Sequence, residues 1–510
     1  MSKLRALASD TVIYGLSTFL GRFLTFLLTP IYTNFISQTA LGDIAGLYAY
    51  IAFFNIIYSF GFETSFLRFF KKDDKEVSQR AFSNSFLTIL SISGAFTLFF
   101  MLFANPMSDS RAIVELSNGA FLIRMAALIA FADAIMLVPF ALLRMLGKAK
   151  KFALLKFLII VVNVALNFLL VFHLKWGADG IVIAGLASST FGVLILLPEI
   201  FEYLRPKIDM SLLKEMARFG LPTVPASFSM IVLTVIDRPI LKALTDSATL
   251  GIYQANYRLA LPMMMTITMF EAAYKPFYLS HAKDADAKPL FARVLKYFTL
   301  IAAIVFLVTS LFMEFVVRMD FIGGKFINPS YWVGLSIIPI VMAGYYFNGV
   351  FTNLAAGFHI TKETKYLPIA TGIAAVSNVA LNFLLIPYFG FWGSAWATLG
   401  AYFIGAVALY YFARKVYPLD YDFKRIGLIL ALTAIVYFVT KEFTDGMSLW
   451  VSFGIRAAAF FTFFALLGIT RFFTKSELDF LKGLFKKSPA PPPQREVSTQ
   501  TLTKEPPPVR

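Results

Sequence analysis

Apolar stretches of membrane-crossing length recur along this chain, separated by short polar breaks, and no other feature limits its fold as strongly. A helix needs about 20 residues to span a hydrocarbon core of about 30 Å. Fourteen stretches meet that length, at 11–36, 43–70, 82–104, 119–143, 152–173, 178–203, 216–241, 250–280, 291–317, 331–357, 366–387, 391–413, 424–440 and 448–472. None shows the ten-residue, two-period alternation of a barrel strand, so helices are predicted, with their backbone groups bonded internally. Composition agrees: 58% of residues are apolar and 15% charged, against about 25% charged in soluble domains. The expected fold class is an all-α polytopic membrane protein with 14 transmembrane helices. The first stretch follows Lys3 and Arg5, has full crossing length and lacks a small-residue cleavage site, so it reads as a retained helix and not a signal peptide.

Cysteine is absent and histidine numbers three. That excludes disulfides, Cys-ligated zinc, iron–sulfur clusters and a thiol nucleophile, and it disfavours a His-rich metal site. No cofactor and no metal are expected. The net charge of +16 would point to nucleic acid in a soluble protein, but its distribution points elsewhere. Breaks after even-numbered stretches hold Lys71, Lys72, Lys75 and Arg80; Arg144, Lys148, Lys150 and Lys151; Arg205, Lys207 and Lys214; Lys283 and Lys288; Lys362 and Lys365; Arg414 and Lys415. Breaks after odd-numbered stretches hold far fewer, chiefly Arg111, Lys175, Lys242, Arg318, Lys325 and Lys441. Basic residues in short loops stay on the cytoplasmic side. Both termini are therefore expected in the cytoplasm, and the surplus charge faces anionic membrane lipids, not nucleic acid.

The chain also repeats itself. Asn163 to Leu170 reads NVALNFLL, and Asn378 to Leu385 reads the same eight letters. Each copy follows a basic stretch and precedes a helix that opens at Gly180 or Gly393. Upstream, Leu41-Gly42 matches Leu250-Gly251, Thr29-Pro30 matches Arg238-Pro239, and Glu63 matches Glu271. With six stretches per unit, both copies start from the same side, so they are parallel repeats. The expected organisation is a six-helix lobe at 1–208, a second at 209–418, helices 13 and 14 at 419–473, an amphipathic surface segment at 474–487 and a disordered Pro-rich tail at 488–510.

Charges inside membrane spans are costly, about 3 kcal/mol each on insertion scales, and mark function or pairing. Here they concentrate in stretches 1, 2, 4, 7 and 8. Arg22, Arg238, Arg258 and Arg124 are candidates for binding an anion, because a guanidinium fork holds phosphate bidentately and stays charged. Asp133, Asp237, Glu63 and Glu271 are candidates for coupling to an ion gradient. The competing reading is pairing: Glu63 with Arg68, Glu271 with Lys275, and Asp237 with Arg238. Arg456 lies outside the repeats and is expected to serve structure or lipid contact. Pro30 interrupts the first stretch and Pro222, Pro225 and Pro239 its repeat counterpart, so the leading helix of each repeat should bend.

The opening segment SDTVIYGLSTFLGRFLTFLLTPIYTNFISQTALGDIAGLYAY, with Leu41, Gly42 and Leu47-Tyr48, and the later LGIYQANYRLA at Leu250 to Ala260, carry a family likeness. The sequence resembles the polysaccharide transport branch of the multidrug/oligosaccharidyl-lipid/polysaccharide flippase superfamily, which includes O-antigen flippases. The resemblance covers about 1–475. It implies a bacterial inner-membrane carrier, not an enzyme, that moves a polyprenyl-pyrophosphate-linked oligosaccharide for surface polysaccharide or lipopolysaccharide synthesis, by alternating access around a cationic cavity. Arg22 and Arg258 match family positions for cavity arginines; Arg238 and Arg124 match less closely. The expected partners are the lipid-linked substrate, membrane lipids, H+ or Na+ as coupling ion, and polysaccharide assembly proteins. The first two helices carry fewer cations than those of lipid II flippases, which favours the oligosaccharide branch. Two alternatives remain open: a multidrug or cation antiporter on the same fold, and a polytopic glycosyltransferase or polymerase using lipid-linked sugars. The second would need larger outer loops than 105–118 and 318–330.

Overall fold

The structure, a computed structural model, describes residues 20–109, 113–470 and 472. Twelve of its helices are long and apolar enough to cross a membrane. They correspond to every expected stretch except the first and the eighth. The first lies partly outside the described residues, as do Arg111, the amphipathic segment at 474–487 and the Pro-rich tail at 488–510. Described residues up to Phe460 belong to one compact unit and those from Phe461 onward to another.

Helical residues 20–26 lead through a turn at Leu27–Leu28 into α1 (Thr29–Phe35), with Pro30 in its first turn. There the missing N–H costs nothing, because the first turn has no intrahelical acceptor to offer it. Ser37 is extended and caps α2 (Gln38–Ser59) by accepting from the Ala40 N–H at 3.2 Å. This helix stops at Phe60 and Gly61, both left-handed at φ 46° and 77°. A separate short amphipathic helix, α3 (Phe62–Phe69), follows. The expected single stretch 43–70 is thus corrected: Glu63 sits on a surface helix. Next come α4 (Lys75–Asp109), α5 (Gly119–Met145), α6 (Ala149–Asn167) with a π-helical extension at Phe168–His173, and α7 (Gly177–Tyr203).

The seventh stretch is broken as its prolines require, into α8 (Met210–Gly220), a 3-10 turn at Leu221–Thr223, α9 (Val224–Val235) and α10 (Asp237–Leu244). The eighth is likewise two helices, α11 (Ser247–Leu259) and α12 (Leu261–His281), restarting where Pro262 cannot donate to the preceding turn. Helix α13 (Ala287–Arg318) leads to a hairpin of β1 (Asp320–Phe321) and β2 (Gly324–Lys325). A 3-10 segment at Pro329–Ile337 runs into α14 (Ile338–Thr361), followed by α15 (Tyr366–Phe389), α16 (Phe391–Val416), α17 (Phe423–Thr444) and α18 (Leu449–Ile469).

The two NVALNFLL copies adopt one local structure. The Asn167 amide donates to the Asn163 carbonyl at 2.9 Å, and the Asn382 amide donates to the Asn378 carbonyl at 2.9 Å. A Cβ at Gly180 would press on Leu170, and one at Gly393 on the repeat-equivalent Leu385. Close helix approach therefore explains both glycines.

Two contacts join the first repeat to the second at opposite ends of α2. At its start, α2 crosses α11 so closely that a Cβ at Gly42 would strike the Ser247 carbonyl and one at Gly251 the Gln38 carbonyl. At its far end, among the basic breaks, Gly61 abuts Gly220 and the Ser65 hydroxyl donates to the Met216 carbonyl at 2.7 Å.

Candidate functional site

A cavity of about 590 Å³ opens between the leading helices of the two repeats. Its lining includes Arg22, Arg238 and Arg258, three of the four arginines singled out from the sequence, joined by Lys156. Arg22 donates to the Thr268 hydroxyl at 2.6 Å and so reaches from the first repeat to α12 of the second. Arg258 is held differently. Its guanidinium lies 5.3 Å over the Tyr32 ring, and among the described residues it makes no hydrogen bond or ion pair. A cation over an aromatic face keeps its N–H donors free for a ligand.

Arg238 is fixed on every side. It donates to Gln254 Oε1 at 3.0 Å, to the Thr234 carbonyl at 2.7 Å and to Asp237 Oδ1 at 3.1 Å, and it lies 4.9 Å over the Tyr257 ring. Asp237 also accepts from the Tyr253 hydroxyl at 2.7 Å. Both carboxylate oxygens are thus occupied, as a buried charge requires. Lys156 sits two turns inside α6 with its ammonium 4.2 Å over the Phe140 ring. Lys156 is not among the residues singled out from the sequence, where the basic break ends at Lys151. The available signal was its position, five residues beyond Lys151 and flanked by apolar residues on both sides.

The other predicted residues lie elsewhere. Arg124 donates to Asn105 at 3.1 Å, away from the cavity lining. Glu63 pairs with Arg144 at 2.5 Å, not with Arg68. Glu271 is exposed and, among the described residues, unpaired, including with Lys275. Asp133 accepts from the Ser189 hydroxyl at 2.7 Å and lies within electrostatic reach of Lys156. Arg456 bonds Glu314 at 2.8 Å and the Leu311 carbonyl at 3.0 Å, which gives it a structural role.

Facing the opposite side of the same helices is a second cavity, of about 470 Å³ and mostly apolar. Met263 lines it where Met264 lines the first, and Tyr346 where Tyr345 does. Trp392, Trp396 and Lys441 stand among its walls.

The statistical profile of the polysaccharide biosynthesis protein family matches residues 7–278, more than half the chain. The chain belongs to that family. Family membership agrees with the likeness read from the opening segment and from Leu250 to Ala260. Among curated relatives, it is 29% identical to the lipid II flippase MurJ of Thermosipho africanus over 130 residues, covering 26% of this chain and 27% of that protein. It is 25% identical to the probable lipid II flippase MurJ of Thermotoga maritima over 269 residues, covering 51% of this chain and 54% of that protein. The chain thus spans about a quarter to a half of the length of these relatives. Among solved structures, a lipid II flippase MurJ in an inward closed conformation superposes with a TM-score of 0.72 at 17% identity, covering 89% of this chain and 98% of that one. An inward-facing multidrug resistance MATE family transporter of the MOP superfamily gives 0.63 at 16% identity, covering 80% and 96%. This polysaccharide biosynthesis family protein therefore has the fold of the MOP superfamily.

Proposed function

We propose that this protein is a flippase that moves a polyprenyl-diphosphate-linked oligosaccharide from the cytoplasmic to the outer leaflet of the bacterial inner membrane, for O-antigen or related surface polysaccharide synthesis. One observation carries the reading: Arg22, Arg258 and Lys156 bring unneutralised or lightly engaged positive charge into one cavity among apolar helices of membrane-crossing length. Permanent cations in a low-dielectric site select an anion, and a diphosphate diester supplies two negative charges. Relatives named as lipid II flippases support a lipid-linked substrate, and the family match supports a polysaccharide precursor.

In this reading both termini and the basic breaks face the cytoplasm, and the two repeats, 1–208 and 209–418, move as lobes. Contacts at Gly42/Gly251 close the outer side and those at Gly61/Gly220 the inner side. Alternating access then amounts to releasing one closure while the other holds. The apolar cavity beside Trp392 and Trp396 accommodates part of the polyprenyl chain. Among the candidate carboxylates, Asp133 has the surroundings best suited to ion exchange: one hydroxyl donor and a nearby lysine, where Asp237 and Glu63 are each held by an arginine.

The test is reconstitution in liposomes with a fluorescent polyprenyl-diphosphate oligosaccharide. Arg22→Ala and Arg258→Ala are expected to abolish its translocation while the protein still folds. Variants that keep translocation and surface glycan assembly but alter drug efflux would instead establish an antiporter, and sugar transfer by the purified protein would establish a glycosyltransferase.

A further inference from the structure

The cavity has two chemically different walls. One side carries Arg22 and Lys156 from the first repeat, with Arg258 turned toward Tyr32 of α1. On the other side, Gln254, Tyr345 and Tyr402 surround Arg238, whose charge Asp237 already balances. Gln254 Oε1 accepts from Arg238, which leaves its two amide N–H donors for the cavity. Among the described residues neither that amide nitrogen nor the Tyr402 hydroxyl has a hydrogen-bond partner, and neither is sealed from the cavity. Tyr345 sits between the Tyr257 ring, edge-on at 5.8 Å, and the Tyr402 ring at 6.4 Å, so the wall is a continuous aromatic surface with neutral polar tips.

The amide and the phenol occur on the second repeat only. Gln254 has Ala45 as its counterpart 209 positions earlier, and Tyr402 has Ser189 at the spacing that relates Gly393 to Gly180. Ser189 is committed to Asp133. A diphosphate gains little from neutral amides and phenols while cations line the same cavity, whereas a sugar ring uses both parts of such a wall. Its C–H faces pack on aromatic rings, and its hydroxyls exchange hydrogen bonds with an amide and a phenol.

Resting on the flippase reading, we propose that the cavity is divided into subsites: Arg22, Lys156 and Arg258 hold the diphosphate, and Gln254, Tyr345 and Tyr402 form a saccharide subsite on the second repeat. The substrate is thereby oriented with its first sugar toward α11, α14 and α16. Recognition of the glycan and recognition of the carrier are then separable properties of different residues.

The experiment compares equilibrium binding of two probes, undecaprenyl diphosphate and undecaprenyl-diphosphate-N-acetylglucosamine, to the purified full chain in nanodiscs. The wild type is expected to bind the sugar-bearing lipid about tenfold more tightly, the effect of one or two net hydrogen bonds. Gln254→Ala and Tyr402→Phe should each lower affinity for that lipid alone and bring the ratio toward one. Arg258→Ala should weaken both probes alike. Equal wild-type affinity for the two probes, or equal loss of both in the Gln254 and Tyr402 variants, overturns the saccharide subsite and leaves the flippase reading standing. A wild type that binds neither probe overturns the flippase reading itself.

Discussion

Gly42 and Gly251, equivalent residues 209 positions apart, lie against each other's helices where α2 crosses α11. Each glycine faces the carbonyl of the residue four places before its partner, Ser247 for Gly42 and Gln38 for Gly251. Those two carbonyls are themselves repeat equivalents, so the crossing is self-complementary, as in a two-fold symmetric dimer. Around it the loops are chemically unequal. On one side Lys242 bonds the buried Asp43 at 2.5 Å and the Ile113 carbonyl at 2.6 Å. Asp43 also accepts from the Ser247 hydroxyl and from the Glu115 and Leu116 N–H groups. On the other, neutral bonds run from Asn34 to the Lys325 carbonyl and from Gln38 to the Ser330 carbonyl.

Adding bulk at this crossing should open it. Gly42→Val or Gly251→Val puts methyl groups against backbone, where nothing can move aside cheaply, at a cost of about 1–3 kcal/mol. The chain has no native cysteine, so a single Thr25→Cys reports on the cavity. Its labelling by an impermeant maleimide from the Gly42 side is expected to accelerate roughly tenfold in either valine variant, the equivalent of about 1.4 kcal/mol. Unchanged labelling would show that the crossing does not control access.

The Asp43–Lys242 pair predicts a strongly non-additive double-mutant cycle. Lys242→Met leaves a fully buried carboxylate without its cation, which costs about 3–5 kcal/mol. Asp43→Asn combined with Lys242→Met should recover much of that loss, because no unpaired charge remains. Thermal unfolding in detergent measures each corner of the cycle; additive losses would refute coupling between the two residues.

Arg238 and Arg258 should separate stability from binding. Arg238→Ala strips the second partner from Asp237, leaving only the Tyr253 hydroxyl, and is expected to lower the thermal midpoint by several degrees, for about 2–4 kcal/mol. Arg258→Ala breaks no hydrogen bond among the described residues. It should leave the midpoint nearly unchanged and weaken diphosphate binding by tenfold or more. Equal thermal shifts in both variants would contradict this division.

Asp133→Asn tests ion coupling. The asparagine amide can still meet the Ser189 hydroxyl but can neither bind a proton nor balance Lys156. Liposomes are expected to show substrate binding close to wild type together with translocation that no longer responds to an imposed proton or sodium gradient. Retained gradient dependence would move the coupling site to another carboxylate, with Glu271 next because it is exposed and unpaired among the described residues.

How far the sequence could be read depended on the range of the interaction involved. Spans with one long apolar run, such as Gly119–Met145 and Phe391–Val416, were legible because burial in lipid demands length alone. Breaks at Pro222 and Pro225 were legible as missing donors. The stop after Ser59 was not, because Phe60 adopts a left-handed conformation that nothing in an apolar sequence announces. Spacing offers Arg68 as a pairing partner for Glu63 beside its reading as a coupling carboxylate, yet its partner is Arg144, eighty-one residues away. Lys242 looked like an isolated charge in an outer break, because Asp43 lies in another helix of the other repeat.

By itself the sequence determined that this chain is a bundle of long apolar helices with an internal repeat and with arginines set within apolar segments, because hydrophobic length, proline chemistry and charge placement are properties of single segments. Only the tertiary structure decided which of those charges share a cavity. It placed Arg22, Arg258 and Lys156 on one cavity, bound Arg238 to Asp237 and Gln254, and sent Arg124 to Asn105. The reason is physical: whether a buried charge is spent on the fold or left for a substrate depends on which helix stands opposite, and that is fixed by packing between repeats two hundred residues apart.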